Sequence, residues 1–146
     1  MKPVRVSIEI HRSAADVFSY LDDVTNNTEW LKGMRSCRWT TDPPERVGST
    51  YEQVAHFLGK EIRTCFEVVA REPGRLVTIT STEGSSFPLT VTREVQPIAD
   101  HRCLVVESVE SDPSGFYRLA QPVLRALVVR NINRDYRSLK ALLERR

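Results

Sequence analysis

The chain has 146 residues, 40% hydrophobic and 27% charged, the length and balance of one globular domain with an ordinary core. No stretch is apolar for long enough to span a bilayer, and a net charge of +2 is too small to argue for nucleic acid. The three cysteines, Cys37, Cys65 and Cys103, are odd in number, widely spaced and set in strand-like runs, as reduced packing residues are.

Val4, Val6, Ile8 and Ile10 alternate with Arg5, Ser7 and Glu9, so residues 3–11 are predicted as a strand. This opening lacks the apolar core of a signal peptide, and a cytoplasmic location is expected. Ser13 follows as an N-cap, with Asp16 three residues on in a shortened capping box. Val17, Phe18 and Leu21 then supply the apolar face of a short helix. A second short helix or turn is predicted over 26–32, holding Trp30 and Leu31, with Gly33 as its C-cap.

Strand signals then recur over 34–41, 49–58, 60–70, 76–82, 87–95 and 103–110. Gly59, Pro73-Gly74, residues 83–86 and residues 97–101 mark the turns between them. Seven short strands joined by short turns predict an antiparallel sheet, and a sheet of that size curls. From about 112 to 146 the pattern is helical. Asp112 suits the N-cap and Pro113 the first position. Pro122 cannot donate to the carbonyl of Arg118, which predicts a kink. Leu124, Leu127, Val128, Ile132, Tyr136, Leu139 and Leu143 form one apolar stripe. Arg125, Arg130, Arg134, Arg137 and Lys140 occupy the rest of the circumference, the pattern of a solvated basic face. Residues 122–144 would span about 34 Å, enough to cross a small sheet.

Strand alternation predicts which side chains face that helix. Ile62, Thr64, Phe66 and Val68 share one face. Arg93 shares a face with Leu89, Val91 and Val95, and Glu107 with Cys103, Val105 and Val109. Arg93 and Glu107 are thereby expected within diagonal reach on the apolar side. A buried ion pair is costly unless it is hydrogen-bonded or partly wet. The pair is either a polar feature of an internal cavity or a sign that the face is misassigned.

The order strand, two short helices, six strands, long helix is the helix-grip arrangement. Several segments go further. Arg12-Ser13-Ala14-Ala15-Asp16-Val17-Phe18-Ser19-Tyr20-Leu21, after the first strand, resembles the I-x-A-P-x-E-x-V-F-x-x-L opening of the polyketide cyclase/dehydrase-like group. That group belongs to the START/Bet v 1-like (SRPBCC) superfamily. Thr28-Glu29-Trp30-Leu31-Lys32-Gly33 is similar to the group's P-E-W-x-P-G, and Val47-Gly48-Ser49-Thr50 to its V-G-T. Glu67 to Leu76 is similar to its E-V-x-E-x-x-P-P-R-x-L, and the final helix is also similar. Ala14 and Thr28 stand where the group's patterns have proline, at positions that look structural. The resemblance covers nearly the whole chain and implies a fold more firmly than a function. It implies an α+β helix-grip fold, a curved seven-stranded antiparallel sheet around a long C-terminal helix, with two short helices between strands 1 and 2. It also implies a single START/Bet v 1-like ligand-binding domain over 1–146, with a small lipophilic partner held between sheet and helix.

The chain shows no Gly-x-Ser-x-Gly motif and no glycine-rich phosphate loop. His11, His56 and His101 have no metal-ligand spacing. No metal and no cofactor are expected. Candidate ligand contacts are Trp30, Met34, Phe66, Phe87, Val91, Arg93, Phe116, Tyr117, Leu124 and Val128. Candidate acid–base groups are His56, Arg93, Glu107 and Tyr51, each of which also has a purely structural reading. The expected function is a carrier or sensor of a hydrophobic or amphipathic molecule. A cyclase/dehydratase-type enzyme is the alternative, and needs at least two of those four groups to converge on the cavity. A lipid or quinone chaperone using the basic face is a second alternative, though membrane contact is not expected. A monomer or a homodimer through a sheet edge is expected.

Overall fold

The computed structural model describes residues 3–82, 89–111 and 121–146, with backbone alone at 111, 121 and 124. Strand β1 (Val4–Ile10) is followed by helix α1 (Ala14–Asp22), a 3-10 turn (Val24–Asn26) and helix α2 (Asn27–Trp30). Then come β2 (Met34–Trp39), β3 (Thr50–Phe57), β4 (Lys60–Glu72), β5 (Leu76–Ser81), β6 (Leu89–Ala99) and β7 (Arg102–Ser111). Helix α3 (Gln121–Glu144) comes last. The strands form one antiparallel sheet in the order β1-β7-β6-β5-β4-β3-β2, a meander with β1 added beside β7. It is the expected helix-grip fold. Irregular register at Met34/Ser36, Val68/Ala70 and Pro97/Ala99 adds local twist, which helps the sheet curl.

Local chemistry accounts for these elements. The Ser13 hydroxyl accepts a hydrogen bond from the Asp16 N–H at 3.2 Å, so α1 starts where the capping pattern places it. Replacing Ser13 by alanine should lower stability by about 1 kcal/mol, read as an earlier urea midpoint. The β3–β4 hairpin turns on Leu58 (φ 54°) and Gly59 (φ 75°). Two residues at positive φ give a turn whose twist matches the flanking strands.

Three local expectations are corrected. Gly33 is not the cap of α2, whose C-cap is Leu31. The glycine serves a close approach instead: the His56 carbonyl oxygen lies 2.9 Å from where a Cβ would sit, and the His56 N–H donates to the Gly33 carbonyl at 2.8 Å. Strand β6 runs through Pro97 to Ala99 and does not turn at 97. Its pairing with β5 has already ended at Leu76↔Glu94, and a bulge falls between Pro97 and Ala99. The ladder on that side therefore does not need the missing proline N–H. With the turn moved to Asp100-His101, Arg93 and Glu107 lie directly opposite one another, not diagonally. The predicted helix start at Asp112 and the approach to a kink at Pro122 fall on 112–120, outside the described residues. Pro122 itself sits in the first turn of α3, where a missing N–H costs nothing.

Two apolar clusters form the core. One joins α1, α2 and the C-terminal half of α3 to β1, β6 and β7, through residues such as Phe18, Trp30, Val105, Tyr136, Leu139 and Leu143. The other lines the middle of the sheet, with Tyr51, Phe66, Val68, Ile79, Val91 and Val109. The strand faces are as predicted: Thr64, Phe66 and Val68 are buried, while Glu61 and Arg63 are exposed. Burial along α3 is uneven. Tyr136, Leu139 and Leu143 are fully packed, whereas Val128, Val129 and Ile132 are only half-buried. The helix is pressed onto the sheet at its C-terminal end and stands away from it nearer its start.

Candidate functional site

The uneven grip leaves a cavity of about 280 Å³ between sheet and helix. Its apolar wall comes from Met34 on β2, Phe66 on β4, Ile79 on β5, Val91 on β6, and Val128 and Ile132 on α3. Alternation delivers the strand residues, because every second side chain of each strand meets the concave face. Ligand pockets run upward from about 300 Å³, so the described residues enclose a small one.

Two charged pairs interrupt the apolar wall, Arg93 with Glu107 and Arg134 with Asp135. The Arg93 Nε donates to Glu107 Oε1 at 2.8 Å, and the Tyr136 hydroxyl donates to the same oxygen at 2.8 Å. The Arg93 guanidinium carbon also lies 5.2 Å from the centre of the Trp30 ring, within cation–π range. Trp30 packs in turn against Tyr136, with ring centres 5.0 Å apart and the planes tilted by 58°. Sequence reasoning left open whether this pair was real. It is inside, hydrogen-bonded, and shared with Tyr136, which the sequence pattern assigns to the apolar stripe of the helix. Hydrogen bonding to Tyr136 and the facing ring offset part of the desolvation that such a pair suffers.

The environment keeps Tyr136 protonated and Arg93 charged. Burial holds the Tyr136 phenol well above its ordinary range, and the Glu107 charge adds to this, so Tyr136 stays protonated and donates. Burial pulls the Arg93 guanidinium down, but Tyr136, Glu107 and Tyr51 more than offset it, and Arg93 stays charged. Tyr51 is 1% exposed and lies between Trp39 and Phe66, with ring centres at 5.5 and 5.4 Å. Burial raises its phenol as well, against the nearby Arg93 charge. Its hydroxyl makes no hydrogen bond among the described residues.

Of the other predicted site residues, Met34, Phe66, Val91 and Val128 line the cavity. Trp30 does not; it lies behind Arg93, because α2 ends there and Tyr136 holds its ring. His56 reaches only the rim. Its imidazole is exposed, with Nδ1 3.3 Å from an Arg35 nitrogen and Nε2 3.7 Å from a Glu61 oxygen. Parity explains this, since His56 shares the outer face of β3 with Glu52. Phe87, Phe116 and Tyr117 lie outside the described residues, as does the side chain of Leu124. Sequence reasoning missed Ile79, Gln53 and Asp135. Asp135 Oδ1 accepts from the Lys32 N–H at 3.3 Å and from Arg134 at 3.1 Å, tying the loop after α2 to the helix beside the cavity. Burial raises the Asp135 carboxyl, against the pull of those two donors. No cluster of three or more potential metal ligands occurs among the described residues. No helix among them is long and apolar enough to cross a membrane.

A curled sheet gripping a terminal helix, with a cavity between them, is the architecture of START-like proteins. A family model described as polyketide cyclase / dehydrase and lipid transport matches residues 1–144, and the chain belongs to that family. Solved structures share the fold at low identity. A protein from Thermus thermophilus matches with a TM-score of 0.83 at 19% identity, over 96% of this chain and 95% of that one. A START superfamily protein from Mycobacterium smegmatis matches at 0.82 and 12%, over 98% and 97%. The Zhui aromatase/cyclase from a Streptomyces species matches at 0.75 and 15%, over 99% and 94%. No curated protein matches the chain by sequence.

Proposed function

We propose that this protein binds a small hydrophobic or amphipathic molecule between the sheet and α3, as a carrier or sensor. One observation carries the reading: the first half of α3 leaves an apolar cavity of about 280 Å³ where the second half packs tightly. Uptake of the neutral fluorophore N-phenylnaphthylamine tests it. Wild-type protein should enhance the fluorescence saturably. Val128→Trp, which fills the space from the helix side, should weaken that uptake at least about tenfold while the protein stays folded. Unchanged uptake in Val128→Trp would place the probe elsewhere and sink the proposal.

The cyclase/dehydratase reading draws support from Arg93, Glu107 and Tyr51, which converge on the cavity. Its histidine, His56, stands at the exposed rim, and Glu107 Oε1 is already engaged by two donors. A carrier needs none of these groups to exchange a proton, so the binding reading asks less of the geometry. Turnover of a poly-β-ketone thioester by the purified protein would favour the enzyme. The lipid-chaperone reading would rest on exposed Arg130 and Arg137. Co-sedimentation with anionic vesicles at low salt, lost at high salt, would favour it.

A further inference from the structure

The charge balance of the cavity selects the polar end of whatever enters it. Arg93 and Glu107 both line the cavity and are almost fully buried, at 11% and 6% side-chain exposure. They neutralise each other at 2.8 Å, as do Arg134 and Asp135, which also line the cavity, at 3.1 Å. A ligand carboxylate placed here would leave one buried negative charge without a partner, which is strongly unfavourable. A ligand cation would leave a positive one, with the same result.

The unmet hydrogen-bonding capacity of the cavity includes donors, beside Glu107 Oε2, which makes no hydrogen bond among the described residues. Arg93 has five N–H donors, and its Nε is the one that Glu107 takes. The Tyr51 hydroxyl, also on the cavity, has no partner among the described residues although the residue is only 1% exposed. Burial keeps that phenol protonated, so it presents an O–H. A second, small cavity of about 20 Å³ is bounded by the same Tyr51, Arg93, Ile79 and Val91, so these residues form the floor of the larger one. Two neutral-to-balanced donor groups at the floor of an apolar cavity call for an acceptor without a charge.

Resting on the binding reading above, we infer that the cavity takes an apolar molecule ending in an uncharged acceptor oxygen, such as a ketone or quinone carbonyl. It discriminates against the matching carboxylate, and Tyr51 and Arg93 are the residues that read the oxygen.

Competition against N-phenylnaphthylamine tests this with three probes of equal size: naphthyl methyl ketone, isopropylnaphthalene and naphthoate. The ketone should displace the fluorophore at about tenfold lower concentration than either of the others. In Tyr51→Phe, which keeps the ring and deletes the donor, the ketone's advantage over isopropylnaphthalene should fall to about threefold or less. In Glu107→Gln the cavity acquires the net charge of Arg93, and naphthoate should become the preferred competitor. A merely structural role for Glu107 would weaken all three probes alike and would not invert their order. Equal displacement by the three in wild-type protein overturns the inference and leaves the binding reading standing, as does a wild-type preference for naphthoate. If the fluorophore is not taken up and no probe raises the melting temperature, the binding reading itself falls, and this inference with it. Circular dichroism and melting curves establish that each variant is folded, and Tyr51→Phe decides the matter alone if Glu107→Gln is not.

Discussion

Glu107→Ala should lower the unfolding free energy by about 3–5 kcal/mol, the range for removing one partner of a buried ion pair. Three groups lose their arrangement at once. Arg93 stays in place, buried beside Trp30, and a guanidinium cannot shed its proton to relieve the strain. The Tyr136 hydroxyl, buried at the heart of the helix packing, loses its acceptor. A void also opens in β7 between Val105 and Val109, which face the same side. Removing both charges together, in Arg93→Met with Glu107→Leu, should recover most of the loss, since apolar replacement of a buried pair is often neutral or stabilising. Urea titrations with unchanged slope measure both differences. A single-variant loss below about 1 kcal/mol would mean that water solvates the pair freely, and the cavity floor would then be wet.

Leu139→Ala and Val128→Ala should separate the two halves of α3. Leu139 is 0% exposed, among Ile10, Trp30 and Tyr136 in the packed cluster. Its truncation leaves a hole that close-packed neighbours cannot fill, and the expected loss is about 2–5 kcal/mol. Val128 is half-buried and already borders open space. Its truncation removes few contacts, and the expected loss is about 1 kcal/mol or less. The same Val128→Ala change enlarges the cavity, so probe uptake should persist or improve while stability barely moves. Comparable losses at the two positions would show that the helix packs evenly and that the space beneath Val128 is a core void, not a container.

The architecture was legible in the sequence because it depends on periodicity and on local chemistry. Val4 to Ile10, Ile62 to Val68 and Leu89 to Val95 alternate strictly, so the buried face of each strand follows from parity alone. Ser13 and Asp16 mark the start of α1, and Gly59 and Gly74 mark turns that need positive φ. Arg93 and Glu107 could be assigned to the inner face for the same reason, although each is charged. The resemblance in the opening helix and the Glu67 to Leu76 stretch agreed with that order of elements, and the family match bears it out.

What tertiary structure alone decided was which of those polar residues act together. Parity says that Arg93 and Glu107 share a face, but their direct opposition depends on the bulge beyond Pro97 and on a turn at Asp100-His101. Tyr136 reads as one more apolar-stripe residue, and its bond to Glu107 spans 29 positions of chain. His56, chemically the most inviting base, stays at the rim because the outer face of β3 carries it there. The cavity likewise cannot be seen in the stripe of α3, whose apolar spacing is regular from Leu127 to Leu143. It arises from the angle at which that helix meets a curled sheet, close at Leu139 and distant at Val128. Local sequence specifies each element and the face it buries. The distance between two such faces is set by the packing of every element at once, and that distance separates a filled core from a site.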